Sequence, residues 1–185
     1  KSCVKPIDFD RDGDLDLFIG GRTISGRYPN APASFILEND GKGNMTDASS
    51  NFVGGSSLGM VTDAAVADLN GDEWPDLIIV GEWTPIMVFI NKAGKFEQRT
   101  REYISKASNG WWNKILPSDF DNDGDVDFIV GNLGINAQIQ ADEKSPAQLY
   151  YTDIDENPSV HPILTSYIAS VSYPVAYLYD LISQV

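Results

Sequence analysis

Dense apolar runs of strand length punctuate this chain. Leu17-Phe18-Ile19, Leu77-Ile78-Ile79-Val80 and Phe128-Ile129-Val130 each follow directly on a nine-residue stretch rich in aspartate. The runs are unbroken rather than alternating, which predicts strands covered on both faces. Ahead of each acidic stretch lies a short extended segment, at 4–9, 64–69 and 114–120, and Pro6 and Pro117 in two of the three argue against helix. Beyond the first two apolar runs come third strands at 34–38 and 86–90. Each runs into a turn, Asn39-Asp40-Gly41-Lys42-Gly43-Asn44 or Asn91-Lys92-Ala93-Gly94-Lys95, and then a fourth strand at 45–48 or 96–100. Strand, short Asn/Gly turn, strand is the hairpin pattern.

The unit repeats. Its acidic stretches start at Asp8, Asp68 and Asp119, so the spacings are 60 and 51 residues. Four antiparallel strands in about 50 residues make one propeller blade. The chain therefore reads as all-β, with about three four-stranded blades of a β-propeller at 1–55, 60–105 and 110–170 and a tail at 171–185. The third unit departs from the others. Leu149-Tyr150-Tyr151 takes the place of the third strand, and 153–161 is a worn echo of the acidic stretch with Pro158 at its sixth position and His161 at its ninth. That segment is expected to be the turn before a strand at 162–170; 173–185 is ambiguous, with a helix start near 180–182. Three blades do not close a ring, and an open array exposes sheet edges. The expectation is part of a larger propeller, which the family resemblance given below implies to be seven- or eight-bladed, or copies that cover one another's open ends.

Charge sharpens the picture. Acidic residues outnumber basic ones by 27 to 13, for a net charge of −14, which argues against nucleic acid or an anionic membrane as a partner. The three stretches at 8–16, 68–76 and 119–127 hold 14 of the 27 acidic residues. Carboxylates at every second position repel one another by about 0.5–1 kcal/mol per near pair in water, so a cation is needed to offset them. No apolar run is long enough for a transmembrane helix or a signal peptide, and membrane insertion is not expected. Cys3 stands alone and makes no internal disulfide; a lipid anchor is the less favoured reading, since 4–7 already reads as strand.

Oxygen ligands at positions 1, 3, 5 and 9, glycine at 6 for the sharp turn and a backbone carbonyl at 7 describe a calcium loop, because a hard ion of variable coordination takes about 6–8 oxygens. An EF-hand would need glutamate at position 12, where Ile19, Ile79 and Val130 stand. The rival is a solvated acidic turn without an ion. It is strongest for the second stretch, where Asn70 removes a charge and Glu73 replaces the glycine. The ion's expected role is structural, cross-linking a self-repelling turn.

Catalytic chemistry finds little support. His161 is the single histidine, Asp63, Glu82, Glu97 and Glu102 show no distinguishing arrangement, and Gly131-Asn132-Leu133-Gly134 reads as a strand end. Trp83, Trp111, Trp112, Tyr150, Tyr151 and Tyr173 offer either a sugar-stacking platform or, the preferred reading, packing between blades.

The loop, the apolar strand and the later Asn/Gly hairpin resemble the FG-GAP and VCBS repeats of calcium-binding propellers. More narrowly, 8–22, 110–134 and 149–168 are similar to large secreted Bacteroidetes proteins that carry an ASPIC/UnbV segment and resemble cartilage acidic protein. The resemblance spans roughly residues 4–170. It implies Ca²⁺ at two or three sites, with side-chain ligands Asp8, Asp10, Asp12 and Asp16; Asp68, Asn70, Asp72 and Asp76; and Asp119, Asp121, Asp123 and Asp127. Asp14, Trp74 and Asp125 would give backbone carbonyls. The expected protein is a secreted, periplasmic or cell-surface binding or scaffold module for a protein or glycan, able to self-associate through open blade edges. The alternative is part of a polysaccharide-active lyase or hydrolase.

Overall fold

A computed structural model describes residues 2–53, 55–134, 137, 139–152 and 160–176. They form three sheets in two compact units, the first made of residues up to Arg22 with Ala31–Asn132, the second of Thr23–Asn30 with the described residues from Leu133 onward.

In the first unit, β1 (Cys3–Ile7), β2 (Asp16–Gly20), β3 (Phe35–Asn39) and β4 (Met45–Asp47) make a four-stranded antiparallel meander in chain order. A 3₁₀ turn at Ser49–Asn51 leads into β5 (Phe52–Val53). The meander recurs as β6 (Met60–Ala67), β7 (Asp76–Thr84), β8 (Met87–Lys92) and β9 (Lys95–Gln98). This second sheet is widened to seven strands: β5 pairs parallel with β9, and β10 (Gly110–Ser118) meets the far end of β7 at Thr84 and Glu82, bringing β11 (Asp127–Asn132) with it. A short helix α1, Thr100–Tyr103, follows β9. The inner and third strands lie within a few residues of where the apolar pattern puts them.

The apolar runs are buried to different depths. In β7, Leu77 and Ile79 face one core, which includes Phe9, Phe18, Phe52 and Phe96 and packs against the first sheet. Ile78 and Val80 face another, built with Ile115 and partly covered by Trp112, Phe128 and Val130. Phe52 is the hub of the first core, its ring 5.2 Å from Phe96, 5.3 Å from Phe89 and 6.2 Å from Phe18. β7 thus meets the expectation of two covered faces. β11 does not: Ile129 is 56% exposed, while Phe128 and Val130 beside it pack on the second core.

The second unit carries β12 (Gln148–Thr152), β13 (His161–Ile168) and β14 (Val171–Pro174), antiparallel in that order. β12 and β13 pair from Gln148↔Thr165 to Thr152↔His161, as expected of a hairpin joined through 153–161. Residues 153–159 and the suspected helix start at 180–182 lie outside the described residues. The stretch 110–170 is divided, with β10 and β11 in one sheet and β12 and β13 in another.

Candidate metal centre

Loops 1, 2 and 3 (residues 8–16, 68–76 and 119–127) join the first two strands of each repeat: β1 to β2, β6 to β7 and β10 to β11. The ninth residue of each ties the loop's neck. Asp16 Oδ2 accepts the Phe9 N–H at 3.1 Å, Asp76 Oδ2 accepts that of Leu69 at 2.9 Å, and Asp127 Oδ2 accepts that of Phe120 at 2.9 Å. Asp16 and Asp76 are fully buried, and their second oxygens accept the N–H of Asn39 (2.8 Å) and Asn91 (2.7 Å) from the hairpin ahead. These aspartates stitch loop to sheet.

Loop 1 brings carboxylate oxygens of Asp8, Asp10 and Asp16 within 4.8 Å of one another, and loop 3 does the same with Asp119, Asp121 and Asp127. Oxygens bound at 2.3–2.6 Å around one calcium lie at most about 5 Å apart, so these spans suit a single hard ion. In loop 1, Asp8 Oδ1 and Asp14 Oδ1 are shielded from solvent and lack a hydrogen-bond partner. Burial and then the surrounding carboxylates Asp12, Asp16, Asp10 and Asp40 hold the Asp14 carboxyl above its usual range, and burial raises Asp16 likewise against the N–H bonds it accepts. Oxygens that are clustered, partly orphaned and reluctant to ionise fit a divalent cation. Asp12 and Asp123 turn an oxygen to the N–H of Asp14 (3.0 Å) and Asp125 (3.1 Å).

Loop 2 is arranged differently. Asp68 accepts four N–H groups of its own loop, from Asn70 (3.3 Å), Gly71 (2.8 Å), Asp72 (3.2 Å) and Glu73 (2.8 Å). Burial opposes ionisation of Asp68, yet these bonds prevail and lower its pKa. Asn70 Nδ2 donates to Asp72 Oδ2 at 2.9 Å, and Asp76 is raised by burial. Asp68, Asp72 and Asp76 do not gather into a carboxylate triad as the other loops do. Loop 2 satisfies itself where loop 1 leaves oxygens open.

The four other carboxylates singled out in the sequence are all in ion pairs. Asp63 meets Lys5 and Lys114, Glu82 meets Arg22, and Arg99 joins Glu97 and Glu102. Trp83 and Trp111 pack at 5.4 Å between ring centroids. Trp112 packs on the second core and donates from Nε1 to the Ser108 carbonyl at 2.8 Å. Tyr150, Tyr151 and Tyr173 are about half exposed on the sheet of the second unit. Asn39 and Asn91, which sequence reasoning takes for turn formers, also hold the ninth aspartates of loops 1 and 2; the signal was their identical place at the end of the third strand.

No curated protein matches the chain significantly. The profile of the FG-GAP-like repeat family matches residues 8–79 and again 68–130. Each match begins at the first aspartate of an acidic loop and runs through the apolar strand of the next repeat. With two overlapping repeats across the acidic loops and their strands, the chain belongs to the FG-GAP-like repeat family.

Proposed function

We propose that this chain is a non-catalytic, extracytoplasmic propeller segment that serves as a binding or scaffold module for a protein or glycan and is stabilised by Ca²⁺ in its acidic loops. The observation that carries the reading is loop 1, where three carboxylates converge within 4.8 Å and Asp8 keeps a shielded oxygen without a partner. Bound calcium would add positive charge where Arg11 alone faces five carboxylates in loop 1. Asp8, Asp10 and Asp16 would hold it in loop 1 and Asp119, Asp121 and Asp127 in loop 3, with Asp12 and Asp123 the further candidates. Loop 2 would be the weakest site, since its carboxylates are not gathered as those of loops 1 and 3 are. Extracellular calcium modules work at about 10⁻⁴–10⁻³ M, a range that suits secretion or the cell surface.

Ligand capture is assigned to surfaces outside the acidic loops. In the second unit, a groove of about 410 Å³ is lined by side chains that include Tyr167, Tyr173, Gln140 and Ser166. That lining supports stacking and hydrogen bonding to a glycan or peptide. Calorimetric titration with CaCl₂ should find two or three sites, with loops 1 and 3 the tighter. A site filled at 100 times its Kd adds about 2.7 kcal/mol, so EDTA should lower the melting temperature by several degrees. A melt that EDTA leaves unchanged would sink the calcium reading.

A further inference from the structure

Loops 1 and 2 are not independent turns. Asn91, at the end of β8, is fully buried, and its polar groups reach into both. Its N–H donates to Asp76 Oδ1 at 2.7 Å, and its Nδ2 donates to the Pro75 carbonyl at 3.2 Å, both in loop 2. The same Nδ2 donates to the carbonyl of Phe9 in loop 1 at 2.7 Å. Its Oδ1 accepts the Gly94 N–H at 2.9 Å, which fixes the amide's orientation. Phe9 stands between the first two carboxylates of loop 1, and its own N–H is bound to Asp16. The counterpart Asn39 spans only its own loop, donating from Nδ2 to the Leu15 carbonyl at 3.2 Å. A second link crosses the surface: Arg11 of loop 1 pairs with Glu73 of loop 2 at 3.2 Å and lies 5.4 Å from the ring centroid of Trp74.

Closing Asp8 and Asp10 on a cation would displace or fix the peptide between them, and a buried hydrogen bond carries that change to Asn91 and so to the neck of loop 2. Loop 2 stands to gain most, because its carboxylates are not gathered as those of loop 1 are. We propose that loops 1 and 2 bind divalent cation cooperatively, with Asn91 as the positioning residue that couples them and Arg11 reinforcing the link. The proposal rests on the calcium reading above. Linkage makes the coupling reciprocal, and couplings between sites are typically 5–150-fold in affinity.

The test is calorimetry with CaCl₂ on the 185-residue chain in an Asp121→Asn background that silences loop 3, with loop amides followed by NMR. Disabling loop 1 by Asp10→Asn should weaken uptake at loop 2 about fivefold or more, and Asp72→Asn should weaken loop 1 by the same factor. Asn91→Ala and Arg11→Ala should each shrink that factor. Arg11 is at the surface, so Arg11→Ala carries the test if the buried variant does not fold. Equal affinity at loop 2 with and without loop 1 overturns the coupling. An undiminished factor in the variants that fold overturns the route. Absence of any calcium uptake overturns the calcium reading itself, and the coupling with it.

Discussion

Single residues decide how each acidic loop turns. Two positions in every loop have left-handed backbone: the fourth, at Arg11 (φ 61°), Gly71 (74°) and Asn122 (63°), and the sixth, at Gly13 (97°), Glu73 (68°) and Gly124 (97°). The sequence draws attention to the sixth position alone, where Glu73 looks like a defect. The structure shows an exchange: loop 2 has its glycine at the fourth position and a side chain at the sixth, and the other loops have the reverse. Each loop therefore tolerates one non-glycine residue in a conformation that costs about 1–2 kcal/mol, and Glu73 gains an ion pair with Arg11. What sets loop 2 apart is Asp68, which accepts four N–H groups of its own loop. A Cβ at Gly124 would meet nothing within 4 Å, so Gly124→Ala isolates the backbone term. It should destabilise the chain by about 1–2 kcal/mol in EDTA, measured by chemical denaturation.

At the scale of elements, consecutive repeats are clasped through their first strands. Asp63 in β6 is 3% exposed, and it follows a register shift between Val61 and Asp63 in the ladder with β7. Lys5 Nζ of β1 lies 2.9 Å from its Oδ1 and Lys114 Nζ of β10 lies 3.5 Å from its Oδ2. The Ile115 N–H also points at Oδ2, at 3.4 Å. Burial works against the charge, but Lys5 and the backbone donors win, and the Asp63 carboxyl is held below its ordinary value of 3.8. The unfolded state then binds the proton more readily than the folded one. The stabilisation is present above pH about 3.8 and is lost as the pH falls through the lower folded value. Asp63→Asn should cost about 2 kcal/mol at pH 7, and its gap to the parent should narrow below pH 3.8 in urea denaturation across that range. None of this clasp was legible in the sequence, because both lysines are more than 50 residues away and a bulge, not a motif, aims the carboxylate. The hairpin between β13 and β14 was missed for a local reason: Ala169 (φ 48°) and Ser170 (φ 67°) make its turn without the glycine or asparagine that marks such turns.

For the whole molecule, what could be read was what chemistry forces into a fixed spacing: the acidic loops, the strands flanking them and the recurrence that makes blades. What could not be read was how far each repeat finds something to pack on. β2 is paired on its far edge by β3, and β7 by β8, at Leu17↔Leu37 and Leu77↔Phe89. Among the described residues β11 ends its sheet, with β10 as its ladder partner. The hairpin also presents Leu116 and Ile129, directly opposite one another and 59% and 56% exposed. An unpaired edge beside an apolar surface is a template for another chain, and a second copy offers an edge of the same kind. Sedimentation velocity should therefore show self-association that grows with concentration. Ile129→Lys places a charge on that strand, and a surface change of this sort typically alters stability by no more than about 0.5 kcal/mol. It should shift the chain toward monomer with little change in its melt. Equal association by parent and variant would move the contact to another edge, and a monomer at every concentration would remove it.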